Sequence, residues 1–187
     1  MLDGSLVSSM LTQIKIWDIN SGRELKSLFG HSDAVVTLMV HSDGSLISGS
    51  NDNTIRVWNT TNGKLKRTLK GHSFYVTSLA ELRDGSLVSG SYDKTIKIWN
   101  IKNGQVIKTL IGHTDYVLSL TVFQDGRVAS GSKDNTIRIW NIENGQTTNV
   151  LTGHNGQIGA LTVLPDGRLA SGSSDWTIRL WGNINFL

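Results

Sequence analysis

A histidine, two serines, an aspartate and a tryptophan stand together between positions 113 and 140: His113, Ser130, Ser132, Asp134 and Trp140. A serine hydroxyl relayed through an imidazole to a carboxylate is the constellation of nucleophilic acyl transfer, in which the histidine takes the serine proton and the carboxylate holds the ring. The same set returns as His31, Ser48, Asp52 and Trp58, as His72, Ser89, Asp93 and Trp99, and as His154, Ser171, Asp175 and Trp181, each time 41 residues on. A catalytic centre is needed once. A set that keeps the period of the chain reads as scaffolding, and no catalytic residue is expected. An aspartate in a tight turn, a serine on a strand, an indole N–H and an imidazole can satisfy one another. This avoids roughly 1–3 kcal/mol for each buried polar group otherwise left alone. Alternation puts Ser130 and Ser132 on one strand face, so either can be the serine of the set. The four histidines would share a metal only if their loops converged on one axis, and the chain has no cysteine for a thiolate site,. Neither metal nor cofactor is expected. Among the histidines only His41 escapes the period; it takes the place of Leu82, Phe123 and Leu164.

The elements that position these groups can be read from one repeat, residues 113–151. YVLSLTVF (116–123) is rich in β-branched and aromatic residues and predicts a strand,. RVASGS (127–132), TIRIW (136–140) and the more polar TTNVL (147–151) predict three more,. Asp125-Gly126 and Asn144-Gly145 are hairpin signals, the first read as a two-residue type I′ turn. Lys133, Asp134 and Asn135 turn the chain between the second and third strands. No segment has helical periodicity. Ile137 and Ile139 face one way and Trp140 the other, so both faces of the sheet need cover, and like sheets packed radially supply it.

Each unit, running GH…DG…SGSxDxTIxIW and then Asp or Asn, resembles a blade of the WD-repeat β-propeller family. The resemblance spans essentially the whole chain, on Trp17, Trp58, Trp99, Trp140 and Trp181. Asp18 supplies the namesake dipeptide once, while Asn59, Asn100, Asn141 and Gly182 stand in its place elsewhere. It implies an all-β fold of four-stranded antiparallel blades, the His–Ser–Asp–Trp tetrad as a structural device, and a non-enzymatic protein-interaction scaffold. It divides the single region 1–187 into a partial unit 3–30, full blades 31–71, 72–112 and 113–153, and a last unit 154–187 without its outer strand. The first unit opens at DGSLVSS, with no inner strand, and Leu11 stands where Asp52 stands in the next. Propellers close with about four to eight blades, so the units predict either part of a larger propeller or half of a dimeric ring. In that homodimer, strand 24–29 of one copy would complete the last blade of the other, giving a ring of about eight blades.

Repeats carry their own control: positions alike in every unit serve the scaffold, while varied positions on a shared surface are free for recognition. Before the apolar run of the first strand lie Ala34, Tyr75, Tyr116 and Gln157; before the turn aspartate lie Asn51, Tyr92, Lys133 and Ser174. The resemblance implies that both sets open on the top face of the disc, with Val36, Thr77, Leu118 and Gly159. Three tyrosines beside Lys133 predict a patch for a protein or peptide partner, because aromatic residues anchor interfaces. Alternatively, Tyr75 and Tyr116 only pack on the loops of the neighbouring blade. Trp176, at the turn tip held elsewhere by Asn53, Lys94 and Asn135, is either an exposed anchor or a cover for the edge of the last blade. A further alternative is a repeat segment of a larger signalling or sensor protein, with no binding role of its own.

Composition bounds the remaining classes. Eighteen basic residues against fifteen acidic give a net +3 without a basic run, which speaks against nucleic acid as partner. With 38% hydrophobic residues, 20 glycines and one proline, the chain reads as globular and turn-rich,. No apolar run approaches membrane-spanning length, and MLDGSLVSSML has neither the basic nor the apolar part of a signal peptide,. With the absence of cysteine this predicts a soluble cytoplasmic protein.

Overall fold

Strands form where the repeat places β-branched and aromatic residues, and they end at glycine or aspartate turns. The computed structural model describes residues 4–182 and contains eighteen strands and no helix among them. The first sheet holds β1 (Leu6–Met10), β2 (Gln13–Trp17) and β3 (Glu24–Leu28). The second holds β4 (Val35–Val40), β5 (Leu46–Ser50), β6 (Thr54–Trp58) and β7 (Leu65–Lys70). The third holds β8 (Val76–Glu81), β9 (Leu87–Ser91), β10 (Thr95–Asn100) and β11 (Gln105–Ile111). The fourth holds β12 (Val117–Val122), β13 (Val128–Ser132), β14 (Ile137–Trp140) and β15 (Thr147–Leu151). The last holds β16 (Ile158–Val163), β17 (Leu169–Ser173) and β18 (Ile178–Trp181). Every sheet is an antiparallel meander in sequence order, and the five together form a partial β-propeller.

The sheets pack face on face, always in the same sense. Ile96, Ile98 and Leu110 of the third sheet form one cluster with Val117, Val128 and Trp140 of the fourth. Ile55 and Leu69 meet Val76, Leu87 and Trp99 in the same way, and Ile14, Ile16 and Leu28 meet Val35, Leu46 and Trp58. The isoleucine face of one blade thus meets the tryptophan face of the next. The glycine of each SGS makes room for this. A Cβ on Gly131 would fall 2.6 Å from Ile158 Cγ2, and one on Gly90 would fall 2.7 Å from Val117 Cγ1. Only glycine lets the next inner strand approach so closely. A Cβ on Gly172 would meet only Ala160 of its own sheet, at 3.5 Å. Ile178 is correspondingly 79% exposed, where its counterpart Ile137 is fully buried. At the opposite end Leu6 is 54% exposed, where its counterparts Leu46, Leu87 and Val128 are fully buried. One isoleucine face and one tryptophan face are therefore open.

One detail differs from the sequence expectations. The Asp-Gly hairpin is not type I′: only Gly126 has a positive φ, and Phe123 N donates to Arg127 O across a three-residue loop. This is a type I turn closed by a glycine bulge. Pro165, at the place of Gln124, fits it because proline's fixed φ suits the second residue of a type I turn,. β3 is the strand that the paired-ring expectation would place on a second copy's last blade. It pairs with β2 of its own chain, and Leu28 is buried against the second sheet. Blade exchange would require it to leave both.

Candidate functional site

In the fourth sheet Trp140 Nε1 donates to Ser130 Oγ at 2.8 Å, Ser130 Oγ lies 2.7 Å from His113 Nε2, and His113 Nδ1 lies 2.7 Å from Asp134 Oδ2. A carboxylate only accepts, so Nδ1 carries the proton, and in the neutral ring Nε2 accepts the serine O–H. Each link uses one proton. The chain recurs through Trp58, Ser48, His31 and Asp52, through Trp99, Ser89, His72 and Asp93, and through Trp181, Ser171, His154 and Asp175, with every link 2.7–2.8 Å. Of the paired serines, Ser130 is the member. Ser132 Oγ instead accepts from Asp134 N at 3.0 Å and donates to Asp115 O at 3.1 Å. Thr136 also joins, its Oγ1 donating to Asp134 Oδ1 at 2.6 Å, and Thr54, Thr95 and Thr177 do the same in their units. Its recurrence in the sequence is the signal for that role. The first sheet keeps only the Trp17–Ser8 link, at 2.8 Å.

Burial pushes the Asp134 carboxyl up, but hydrogen bonds from His113 and Thr136 outweigh it and hold the group well below the usual carboxylate range. Asp93 is held down likewise by His72 and Thr95. Burial keeps His31 below its ordinary value against the pull of Asp52. The order of groups is that of a serine nucleophile, yet Ser130 is fully buried and its oxygen already receives the indole N–H. A substrate carbonyl cannot reach that oxygen in the folded blade. The set ties loop, turn and strand together.

The residue after each tryptophan has a turn to hold. Asn141 Oδ1 accepts from Glu143 N and Asn144 N, Asn59 and Asn100 repeat the pattern, and Asp18 Oδ1 accepts from Asn20 N and Ser21 N. One acceptor oxygen suffices, so Asp and Asn interchange.

The varied positions meet in pairs on one rim. Asn51 N donates to Ala34 O, Tyr92 N to Tyr75 O, Lys133 N to Tyr116 O and Ser174 N to Gln157 O, at 2.9–3.0 Å. Beside them the inner strands shift register at Val36, Thr77, Leu118 and Gly159. The rings of Tyr92 and Tyr116 stack at 4.1 Å and 9° from parallel, Tyr75 lies 5.5 Å from Tyr92, and Lys133 Nζ sits 4.7 Å from the Tyr116 ring centre. Phe74 completes the group, although it lies outside the two sets of varied positions. It is 42% exposed, 4.5 Å from Tyr75, and nearly parallel to Tyr92 and Tyr116 at 6.1 and 6.4 Å. The available signal is that its counterparts, Asp33, Asp115 and Gly156, are not aromatic. The tyrosines therefore pack on the neighbouring blade and still present a half-buried outer surface. Ala34, Asn51, Gln157 and Ser174 lie outside this stack. Trp176 is 98% exposed with φ of 67°, and it borders a hollow shared with Gln157, Ala160, Gly172 and Ile178. It stands at the upper corner of the open isoleucine face. At the same turn position Lys94 reaches forward and donates to Thr114 O of the following sheet at 2.9 Å.

A family model described as WD40, "WD domain, G-beta repeat", matches residues 22–59, 63–100, 104–141 and 145–182. Each match begins at an outer-strand turn and ends just past the tryptophan of the next blade, so each repeat stitches two sheets together. Among solved structures, "Structure of U3-55K" superposes with a TM-score of 0.89 at 30% identity, covering 97% of this chain and 58% of its own. The chain thus spans 58% of that structure's length. No curated protein matches the chain significantly.

Proposed function

The chain belongs to the WD40 family of WD domain, G-beta repeat proteins, and on that premise we propose that it is a non-enzymatic cytoplasmic scaffold that binds a protein or peptide partner on its top rim, at Phe74, Tyr75, Tyr92, Tyr116 and Lys133. WD repeats generally mediate protein–protein interaction, and their propellers are generally not enzymes. The observation that carries the reading is the plate of near-parallel rings at positions the scaffold leaves free to vary. Stacked rings offer a partner a large apolar area with little side-chain entropy left to lose. The Lys133 ammonium beside them adds a polar contact at the edge. A photo-crosslinking residue in place of Tyr116 should capture a partner that the same residue at Lys102, on the opposite rim, does not. The capture should disappear in Phe74→Ala/Tyr92→Ala while the melting temperature stays near that of the parent. Equal capture from both rims would count against the reading.

The open isoleucine face favours a second reading, in which the chain works as one segment of a larger propeller and another blade covers Gly172 and Ile178. A second copy of the chain is one source of that blade. Sedimentation at micromolar concentration tests it, and a stable monomer removes the homodimer.

A further inference from the structure

The repeat is broken at two points that become neighbours. Position 41 holds histidine where the other units hold Leu82, Phe123 and Leu164; position 81 holds glutamate where they hold Val40, Val122 and Val163. Each departure replaces an apolar residue by a titratable one, and across the blade junction His41 Nε2 lies 3.3 Å from Glu81 Oε1. We propose that His41 and Glu81 form a proton-operated clasp between the second and third blades, closed when the imidazole carries both its protons.

His41 is buried in the slot its apolar counterparts fill. Its Nε2 lies 3.0 Å from Gly85 O, which can only accept, so Nε2 keeps its proton in either charge state,. Nδ1 lies 3.0 Å from Asp43 Oδ1 and 3.2 Å from Asp43 N. As N–H it donates to the carboxylate; bare, it accepts from the amide. Both states are satisfied, but only the charged ring attracts both carboxylates. Glu81 also accepts from Ser42 N at 3.0 Å and from Ser42 Oγ, which fastens the second blade's turn to the third blade. Among the other charged groups nearby, Lys66 Nζ lies 3.9 Å from Asp43 Oδ2 and donates to Ser45 Oγ. Asp84 accepts from Ser86, and Arg83 shares the turn of Gly85. Burial pulls His41 down, yet the Gly85 carbonyl, Asp43 and Glu81 together raise it above its ordinary value. A histidine raised on folding stabilises the fold below its unfolded value of about 6.5, and that stabilisation is lost as pH rises through the folded value. Asp43, held down to about 2, titrates far below this window.

Two measurements test the clasp: an NMR titration of the His41 ring in the folded protein, and urea unfolding from about pH 6 to about pH 8. His41 should titrate above a histidine in an unstructured peptide. In Glu81→Val, which carries the residue of the sister blades, it should fall back. Relative to His41→Leu, the parent's unfolding constant should rise several-fold across the range. The tetrad histidines are common to both proteins and cancel in that comparison. If His41→Leu does not fold, the Glu81→Val titration reads the clasp alone. A His41 that titrates at or below the peptide value, or that Glu81→Val leaves unmoved, overturns the proposal, as does an equal pH slope in His41→Leu.

Discussion

Replacing Asp134 by alanine removes four hydrogen bonds at once: those from His113 Nδ1 at 2.7 Å, Thr114 N and Thr136 N at 3.0 Å, and Thr136 Oγ1 at 2.6 Å. They are not equal. Thr114 is exposed and can turn to water, whereas the His113 ring is buried and Thr136 lies half-buried beneath the turn. A buried donor left without a partner costs roughly 1–3 kcal/mol, so the three remaining donors, two of them on the half-buried Thr136, set the expected loss at about 3–4 kcal/mol. That is a large part of the ~5–15 kcal/mol that holds a typical domain. Asp134→Asn separates shape from charge. Its amide oxygen can still accept from Thr136, but its NH2 then faces the His113 N–H, so about 1–2 kcal/mol should go. Urea unfolding at neutral pH, followed by the fluorescence of Trp140 and its counterparts, measures both. A loss below about 1 kcal/mol for Asp134→Ala would falsify the view that the tetrad holds the blade's turn.

Gly131→Ala should destabilise by about 1–3 kcal/mol, because its Cβ would sit 2.6 Å from Ile158 Cγ2 and from Ser119 Oγ,. Gly172→Ala, whose Cβ would meet only Ala160 at an ordinary 3.5 Å, should stay within about 0.5 kcal/mol by the same urea unfolding assay,. Trp176→Asn should raise the melting temperature, since asparagine tolerates the φ of 67° that costs a bulky side chain roughly 1–2 kcal/mol,. On acidification, Asp93 and Asp134, whose folded values lie below their unfolded ones, contribute stability that is full above about pH 4 and is lost as pH falls through the folded values,. Acid unfolding of Asp134→Ala should therefore depend less steeply on pH than that of the parent.

What every blade needs appears in every unit, which is why the strands, the tryptophan and the tetrad are legible in the sequence. Ser130 and Ser132 show where repetition stops informing. Both recur and both share a face, and only the position of Ser130 under the indole separates them. Asp125-Gly126 signals a positive φ, but one residue uses it instead of two, and Pro165 is the sequence evidence for the wider turn. Phe74 stands at a place held by aspartate or glycine in other units, so the tyrosine pattern does not point to it. His41 and Glu81 are visible one by one as departures from the repeat. Their contact depends on one blade stacking on the next, which periodicity within a blade does not express.

Because each junction joins an isoleucine face to a tryptophan face, the row of blades has polarity. By the pattern of the internal junctions, a tryptophan face would complement the Ile178 end and an isoleucine face the Leu6 end. Two copies that share one such contact still expose one free end of each kind, so the contact cannot saturate itself. An association through this surface would be head to tail, and it would stop only when the accumulated rotation brought the last face round to the first. In any ring closed through such faces, curvature per blade, more than stickiness of the ends, would set the number of blades.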